Sequence, residues 1–205
     1  MGLRSSNHSP ADFRIAYLEL LSRRRQPSKP VAEPKMRMPR PVARTDGDAT
    51  REFTAFAAPL IGLPVSHVWR GHGSALFLEF GQLRPSNLIR RDGSSGNPRG
   101  EMSLMIEWSW RIEGRRSILC GSWSDEQKWP RTFGLMRGAT MTNAALFGRL
   151  PEIELSLSNG IHLMSFMTAE GSPEWALIDR RGDKSHSLSV RRGTLRHETS
   201  EKEAD

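Results

Sequence analysis

Cysteine is almost missing from this 205-residue chain: Cys120 is the only one. A lone cysteine closes no intramolecular disulfide. That excludes a disulfide-stapled secreted scaffold and leads us to expect a reducing, cytoplasmic setting. Cys120 itself is expected to be a small buried strand residue, as free cysteines commonly are. Long hydrophobic runs are missing too. The longest mostly apolar stretch, from Ala55 to Val65, is interrupted by Pro59 and Pro64 and falls well short of the ~20 residues that cross a bilayer as a helix. Neither a membrane span nor a secretory leader is expected.

Catalytic and cofactor motifs are absent as well. The chain has no G-x-x-x-x-G-K-S/T loop, no G-x-G-x-x-G, no H-E-x-x-H and no G-x-S-x-G, which removes the usual signatures for nucleotide, dinucleotide, zinc-protease and α/β-hydrolase chemistry. The histidines (His8, His67, His72, His162, His186 and His197) are scattered, without metal-ligand spacing. We expect no cofactor and no metal.

Charge is present in excess, and its location matters. The formal net charge is +7. Residues 1–45 hold ten Lys or Arg against three Asp or Glu, and residues 53–179 hold twelve of each. The imbalance therefore lies in an N-terminal arm. Arg23, Arg24, Arg25, Lys29, Lys35, Arg37 and Arg40 form the candidate nucleic-acid contacts. Counterion release predicts that such binding falls steeply with salt and is lost when residues 1–45 are deleted.

Within the arm, Ser9-Pro10-Ala11-Asp12 supplies helix-start chemistry. Phe13, Tyr17, Leu20 and Leu21 follow at i, i+4, i+7 and i+8, so a helix is expected over 10–25. Five prolines between Pro27 and Pro41 mark residues 26–52 as an extended linker. The folded part is expected over 53–179. Residues 180–205, which are Ser-, Arg- and Glu-rich, read as a disordered polar tail.

The folded part reads as strands. Residues 65–70 and 74–80 flank Gly71-His72-Gly73 as a hairpin. Residues 102–112 form the clearest strand, with Met102, Leu104, Ile106, Trp108, Trp110 and Ile112 at every even position. A period of 2 makes one face apolar and the other wet, as in an antiparallel sheet covered on one side. Residues 117–123 are its expected partner, 124–139 a loop and 142–150 a short helix. Asn159-Gly160 signals a two-residue type I′ hairpin. That register pairs Leu157 with His162 and Leu155 with Met164, and it leaves Leu163 and Met167 opposite polar positions. Residues 174–179 are the last strand. The expected class is α+β: six or seven mainly antiparallel strands in one curled sheet, with one short helix.

The best binding candidates lie in the polar loop after that partner strand: Trp123, Asp125, Lys128, Trp129 and Arg131. Two tryptophans there have no period that places both in a core, and Trp and Arg carry much of the energy of protein interfaces. The competing reading folds both rings back over an open sheet end. A hydrolase using Asp125, Glu126 or His162 is the enzymatic alternative. It requires those groups to converge.

Leu63-Pro64-Val65-Ser66-His67-Val68-Trp69-Arg70, Leu76-Phe77-Leu78-Glu79-Phe80-Gly81, Glu107-Trp108-Ser109-Trp110-Arg111-Ile112 and the late Glu174-Trp175 together resemble a loose class of small bacterial β-rich domains. Some members sit near toxin and immunity genes. The resemblance covers roughly residues 58–179 and carries no catalytic residues with it. It implies an α+β domain without known enzymatic activity. The expected function is a non-enzymatic protein-binding module of an immunity-like kind.

Overall fold

A computed structural model describes residues 46–86, 88–90, 92–168 and 174–201. The helix expected at 10–25, the linker up to residue 45, and the basic residues Arg23, Arg24, Arg25, Lys29, Lys35, Arg37 and Arg40 lie outside the described residues.

The linker expected over 26–52 does not extend to 52. Helix α1 (Asp46–Ala57) starts inside it, because Phe53, Phe56 and Ala57 recur on one helical face and Leu60 continues that face one turn on. Phe53, Ala57 and Leu60 are buried. A 3-10 turn (Ala58–Leu60) with Pro59 in its first turn ends the helix. The Gly62 amide then donates to the Met141 carbonyl at 2.9 Å.

Eleven strands follow among the described residues: β1 (Val65–Arg70), β2 (Leu76–Phe80), β3 (Met102–Ile106), β4 (Trp110–Glu113), β5 (Ile118–Gly121), β6 (Met141–Phe147), β7 (Glu152–Leu157), β8 (His162–Ser165), β9 (Trp175–Asp179), β10 (Lys184–Arg191) and β11 (Thr194–Glu201). They form two sheets, ordered β1-β2-β3-β9-β10-β11 and β5-β4-β8-β7-β6, and every pairing is antiparallel. The α+β class holds. Two sheets replace the single curled sheet expected, and helix α2 (Trp129–Met136) joins α1.

One core lies between these elements. Leu78, Leu104, Leu177 and Leu188 form a cross-strand row in the first sheet. Ile112, Leu163 and Leu155 form one in the second. All seven are buried in the same cluster as Phe53, Phe133 and Met136. Phe53 meets Trp175 edge to face, with centroids 5.8 Å apart. Cys120 is buried on β5.

Four further expectations are corrected. Residues 102–112 are not one strand: the chain breaks at 107–109 to cross from the first sheet to the second. Residues 142–150 are not a helix. Ala144, Ala145 and Leu146 favour a helix by composition, and pairing with β7 overrides that preference. Residues 180–201 of the expected tail are instead ordered around two strands. The hydroxyl-rich run needs only Leu188 and Val190, both buried, to add β10 to the edge of an existing sheet.

The fourth correction is the Asn159-Gly160 register. Leu155 pairs with Leu163 and Ser156 with His162, one residue away from the two-residue hairpin. Leu157 N donates to Ile161 O at 2.8 Å, which closes a three-residue loop with Gly160 at φ 76°, the form whose third residue takes the left-handed conformation. A one-residue slip exchanges the two faces of a strand. Here it moves Leu163 from a polar partner to Leu155 and into the core.

Candidate binding corner and the opposite end

The two sheets exchange chain twice at one end of the molecule. β3 ends at Ile106, and Glu107, Trp108 and Ser109 carry the chain to β4 at Trp110. β8 ends at Ser165, and the chain returns through Phe166 and reaches β9 through Glu174. Ile106 pairs with Trp175 and Trp110 with Ser165, so the two crossings run side by side. Glu107 N donates to Glu174 O at 3.0 Å and Phe166 N to Ser109 O at 2.9 Å. The hydroxyls of Ser109 and Thr168 share a hydrogen bond of 2.8 Å.

The corner explains why Trp108 departs from its alternation. Every other even residue from Met102 to Ile112 is buried, whereas Trp108 is 53% exposed. At a chain crossing the pleat no longer decides which way a side chain faces. The turn between β1 and β2 reaches the same corner: Ser74 Oγ donates to Trp108 O at 2.8 Å, and Trp110 Nε1 donates to Ser74 O at 2.6 Å.

Between the crossings lies a cavity of about 10 Å³, whose walls include Trp108, Ser109, Thr168 and Glu174. Such a volume holds about one water-sized group. Glu174 is 6% exposed, and its Oε2 is buried without a hydrogen-bond partner.

The loop of binding candidates starts at this end too. Ser122 N donates to Trp110 O at 3.0 Å, so Trp123 follows directly beside the start of β4. Trp123 is 90% exposed. Asp125 Oδ1 accepts from Gln127 N at 3.1 Å and caps a 3-10 turn (Glu126–Lys128). The Lys128 carbonyl accepts from Thr132 Oγ1 at 3.3 Å. Lys128 and Arg131 are exposed.

Trp129 does not join this surface. With Pro130 in its first turn, α2 buries Trp129, Thr132, Phe133 and Met136, an i, i+3, i+4, i+7 stripe that the expectation of a loop over 124–139 overlooked. Trp129 packs on Trp110 at a centroid distance of 5.1 Å and donates from Nε1 to Gly121 O at 3.2 Å. Arg70 pairs with Glu126, and its guanidinium carbon lies 5.2 Å from the Trp129 ring centroid. The two tryptophans thus divide: Trp129 packs and Trp123 stays in water.

The opposite end of β4 borders a broad cavity of about 690 Å³ lined by Glu113, Arg115, Glu154 and His162 among others, and most of its ionisable groups have close neighbours. Arg111 Nε lies 2.5 Å from Glu113 Oε1, an ion-pair contact without hydrogen-bond alignment. The Arg111 guanidinium carbon lies 4.6 Å from the Phe166 ring centroid. His162 Nδ1 lies 3.0 Å from Ser156 Oγ and 3.9 Å from Glu154 Oε1. Both neighbours approach the same ring nitrogen. A relay needs the hydroxyl and the acid on opposite nitrogens, so this trio has no relay geometry.

The three residues of the hydrolase alternative do not converge. Asp125 and Glu126 follow β5 at the corner, whereas His162 pairs with Glu113 at the far end of β4, about 10 Å away along the strand. Among the described residues no three His, Cys, Asp or Glu are placed to hold a metal ion, and no helix is long and apolar enough to cross a membrane. Burial pushes the Cys120 thiol above its ordinary pKa, with a hydrogen bond involving Thr132 opposing, so it stays a thiol near neutral pH.

Trp108 and Glu174 were missed from sequence. Trp108 fits a strand alternation and Glu174 reads as a strand's first residue, so neither carries a local signal of the corner. No protein-family model, curated protein or solved structure matches this chain.

Proposed function

We propose that this chain is a non-enzymatic protein-binding module of an immunity-like kind, and that it meets its partner at the corner where the two sheets exchange chain. Trp123 is the anchor, with Trp108 at the same end of the two sheets and Asp125, Lys128 and Arg131 as a polar rim. One observation carries this reading: Trp123 is 90% exposed. A tryptophan held in water keeps in reserve the large apolar area that dominates interface energetics. The separation of Asp125 and Glu126 from His162 supports the non-enzymatic part. The single buried cysteine supports a reducing, cytoplasmic setting.

The test is affinity capture from the native cell with the full chain and with a Trp108→Ala, Trp123→Ala double variant. A specific partner should be recovered at least about tenfold less by the variant, as expected for loss of an interface anchor, with the melting temperature unchanged. Equal recovery of every partner would remove the corner from the interface.

A further inference from the structure

The first sheet ends on a strand built differently from the other three sheet edges. β1 carries a register shift between Val65 and His67, and Val65 N donates to Ala139 O. β6 is shifted between Met141 and Asn143, and Met141 N donates to Leu63 O. β5 is four residues long. Short length, bulges and covering loops are the ordinary ways in which a sheet edge is kept from pairing with another chain. β11 has none of them. Its eight residues hold no Pro, its register with β10 is unbroken, and no described strand lies on its other side. The turn before β11 sets which backbone groups face out. Arg192 and Gly193 have φ of 52° and 65°, and Arg191 pairs with Thr194, as in a two-residue type I′ hairpin. The closing pair exchanges both hydrogen bonds, and the pairs alternate from there. Thr194, Arg196, Glu198 and Ser200 therefore bond to β10. Leu195, His197 and Thr199 turn their N–H and C=O to the open edge.

We propose that β11 pairs antiparallel with β11 of a second copy of this chain, about a two-fold axis at His197. A two-fold antiparallel pair sets one residue opposite itself, so few registers exist. An axis at Arg196 or at Glu198 would place like charges directly opposite, which is destabilising. An axis at His197 places Arg196 opposite Glu198 twice and Thr194 opposite Ser200 twice, both favourable cross-strand pairs. Leu195 then falls opposite Thr199. The outward backbone groups of Leu195, His197 and Thr199 meet their counterparts and form about six interchain hydrogen bonds, two per pair. Arg196 and Glu198 are both exposed. Arg191 Nη2 lies 3.6 Å from Glu198 Oε1, and a carboxylate has a second oxygen to offer Arg196 of the second copy. Main-chain pairing of this kind supplies the affinity. A single strand pair is a small interface, so the dimer is weak and reversible. It uses no residue of the corner, and this inference does not rest on the binding reading above.

The experiment is sedimentation equilibrium of the full chain from roughly 10 to 500 µM, a span suited to a weak interface. The mass should rise from one chain toward two. Thr199→Pro removes an outward N–H and no bond to β10, so it should weaken dimerisation at least about tenfold while the fold stands. Arg196→Glu sets Glu opposite Glu198 of the second copy and should also weaken it at least about tenfold. Adding Glu198→Arg to that variant restores unlike charges in the same register and should bring the dimer back to within about threefold of the parent. These charge variants lie at exposed positions and serve if Thr199→Pro fails to fold. A monomer at every concentration overturns the proposal. So does a dimer that folded Thr199→Pro leaves intact, or one that the paired exchange does not restore. The Trp108→Ala, Trp123→Ala double variant should dimerise like the parent. A dimer lost in that variant forms at the corner and overturns this inference, whereas a monomeric parent that still captures its partner leaves the corner standing.

Discussion

The two ends of β4 lie only about 10 Å apart and treat their polar groups in opposite ways. At the Glu113 end, Arg111, Glu113, Glu154, Ser156 and His162 all have neighbours that answer their charge or hydrogen bonding. At the Trp110 end, Trp123 and Trp108 stand in water and a buried glutamate oxygen has no donor. Folding pairs the charges of the first set, although Arg111 Nε, like Glu174 Oε2 and Ser189 Oγ, is buried without a hydrogen-bond partner. The second set is what folding leaves unfinished, and a native protein keeps such groups chiefly where something else completes them. Ionisable groups are therefore a poor guide to the working end of this molecule, and the exposed tryptophans Trp108 and Trp123 a better one.

The largest effect that could break this contrast concerns the tryptophans themselves. Trp129→Ala should destabilise the fold by about 3–5 kcal/mol, the range for truncating a buried aromatic, because it empties the contact with Trp110 and Phe133. Trp123→Ala should stay within about 0.5 kcal/mol. Urea unfolding followed by far-ultraviolet circular dichroism measures both. If Trp123→Ala costs as much as a core truncation, its ring is packed and the corner is an ordinary sandwich end.

How much of this could be read beforehand follows from which interactions are local. The alternation from Met102 to Ile112 correctly put Met102, Leu104, Ile106, Trp110 and Ile112 in the core. It could not reveal the crossing at 107–109, because a corner preserves the alternation of the residues on either side of it. Trp129, Phe133 and Met136 lie at i, i+4 and i+7 behind Pro130, so α2 was legible, and the surrounding polar residues obscured it. Leu188 and Val190 are too few to mark strands alone; β10 exists because β9 offers it an edge. The hairpin register required knowing that Gly160 is the third loop residue, and the mismatch of Leu163 with a polar position was the visible clue. At the site, Trp123 stood out as a tryptophan in polar company. Glu174 did not, since its burial arises from a crossing contributed by residues more than sixty positions earlier in the chain.

A smaller effect sharpens the contrast from the opposite direction. Glu174→Gln replaces a buried carboxyl whose Oε2 has no hydrogen-bond partner, and the fold should gain about 1 kcal/mol. Glu113→Gln, at the far end, breaks a half-exposed pair with Arg111 and should lose no more than about 1 kcal/mol. Opposite signs in thermal unfolding are the expected outcome. A loss of stability in Glu174→Gln would mean that the carboxylate already has its partner within the fold, and the distinction between the ends would fail at its most specific point.

The smallest effect lies at the far end of the first sheet, where β9 finishes at Asp179. Burial alone would raise the pKa of this carboxyl. Hydrogen bonds from the Arg181 side chain and backbone, with the Arg181 charge, outweigh it and hold the group below its ordinary value. Arg181 Nη2 lies 2.8 Å from Asp179 Oδ2. A carboxyl whose folded pKa is depressed contributes stability that is fully present above its unfolded pKa, about 3.9, and is lost as pH falls through the lower folded value. The native protein should therefore lose stability on acidification below about pH 4, and part of that slope should vanish in Asp179→Asn. Arg181→Gln should flatten the same part of the slope by removing the partner instead of the carboxylate. Melting temperatures from pH 7 to pH 2 measure all three proteins. If both variants keep the parental slope, Asp179 is not held by Arg181, and the far end does not satisfy its charges in the way that sets it apart from the corner.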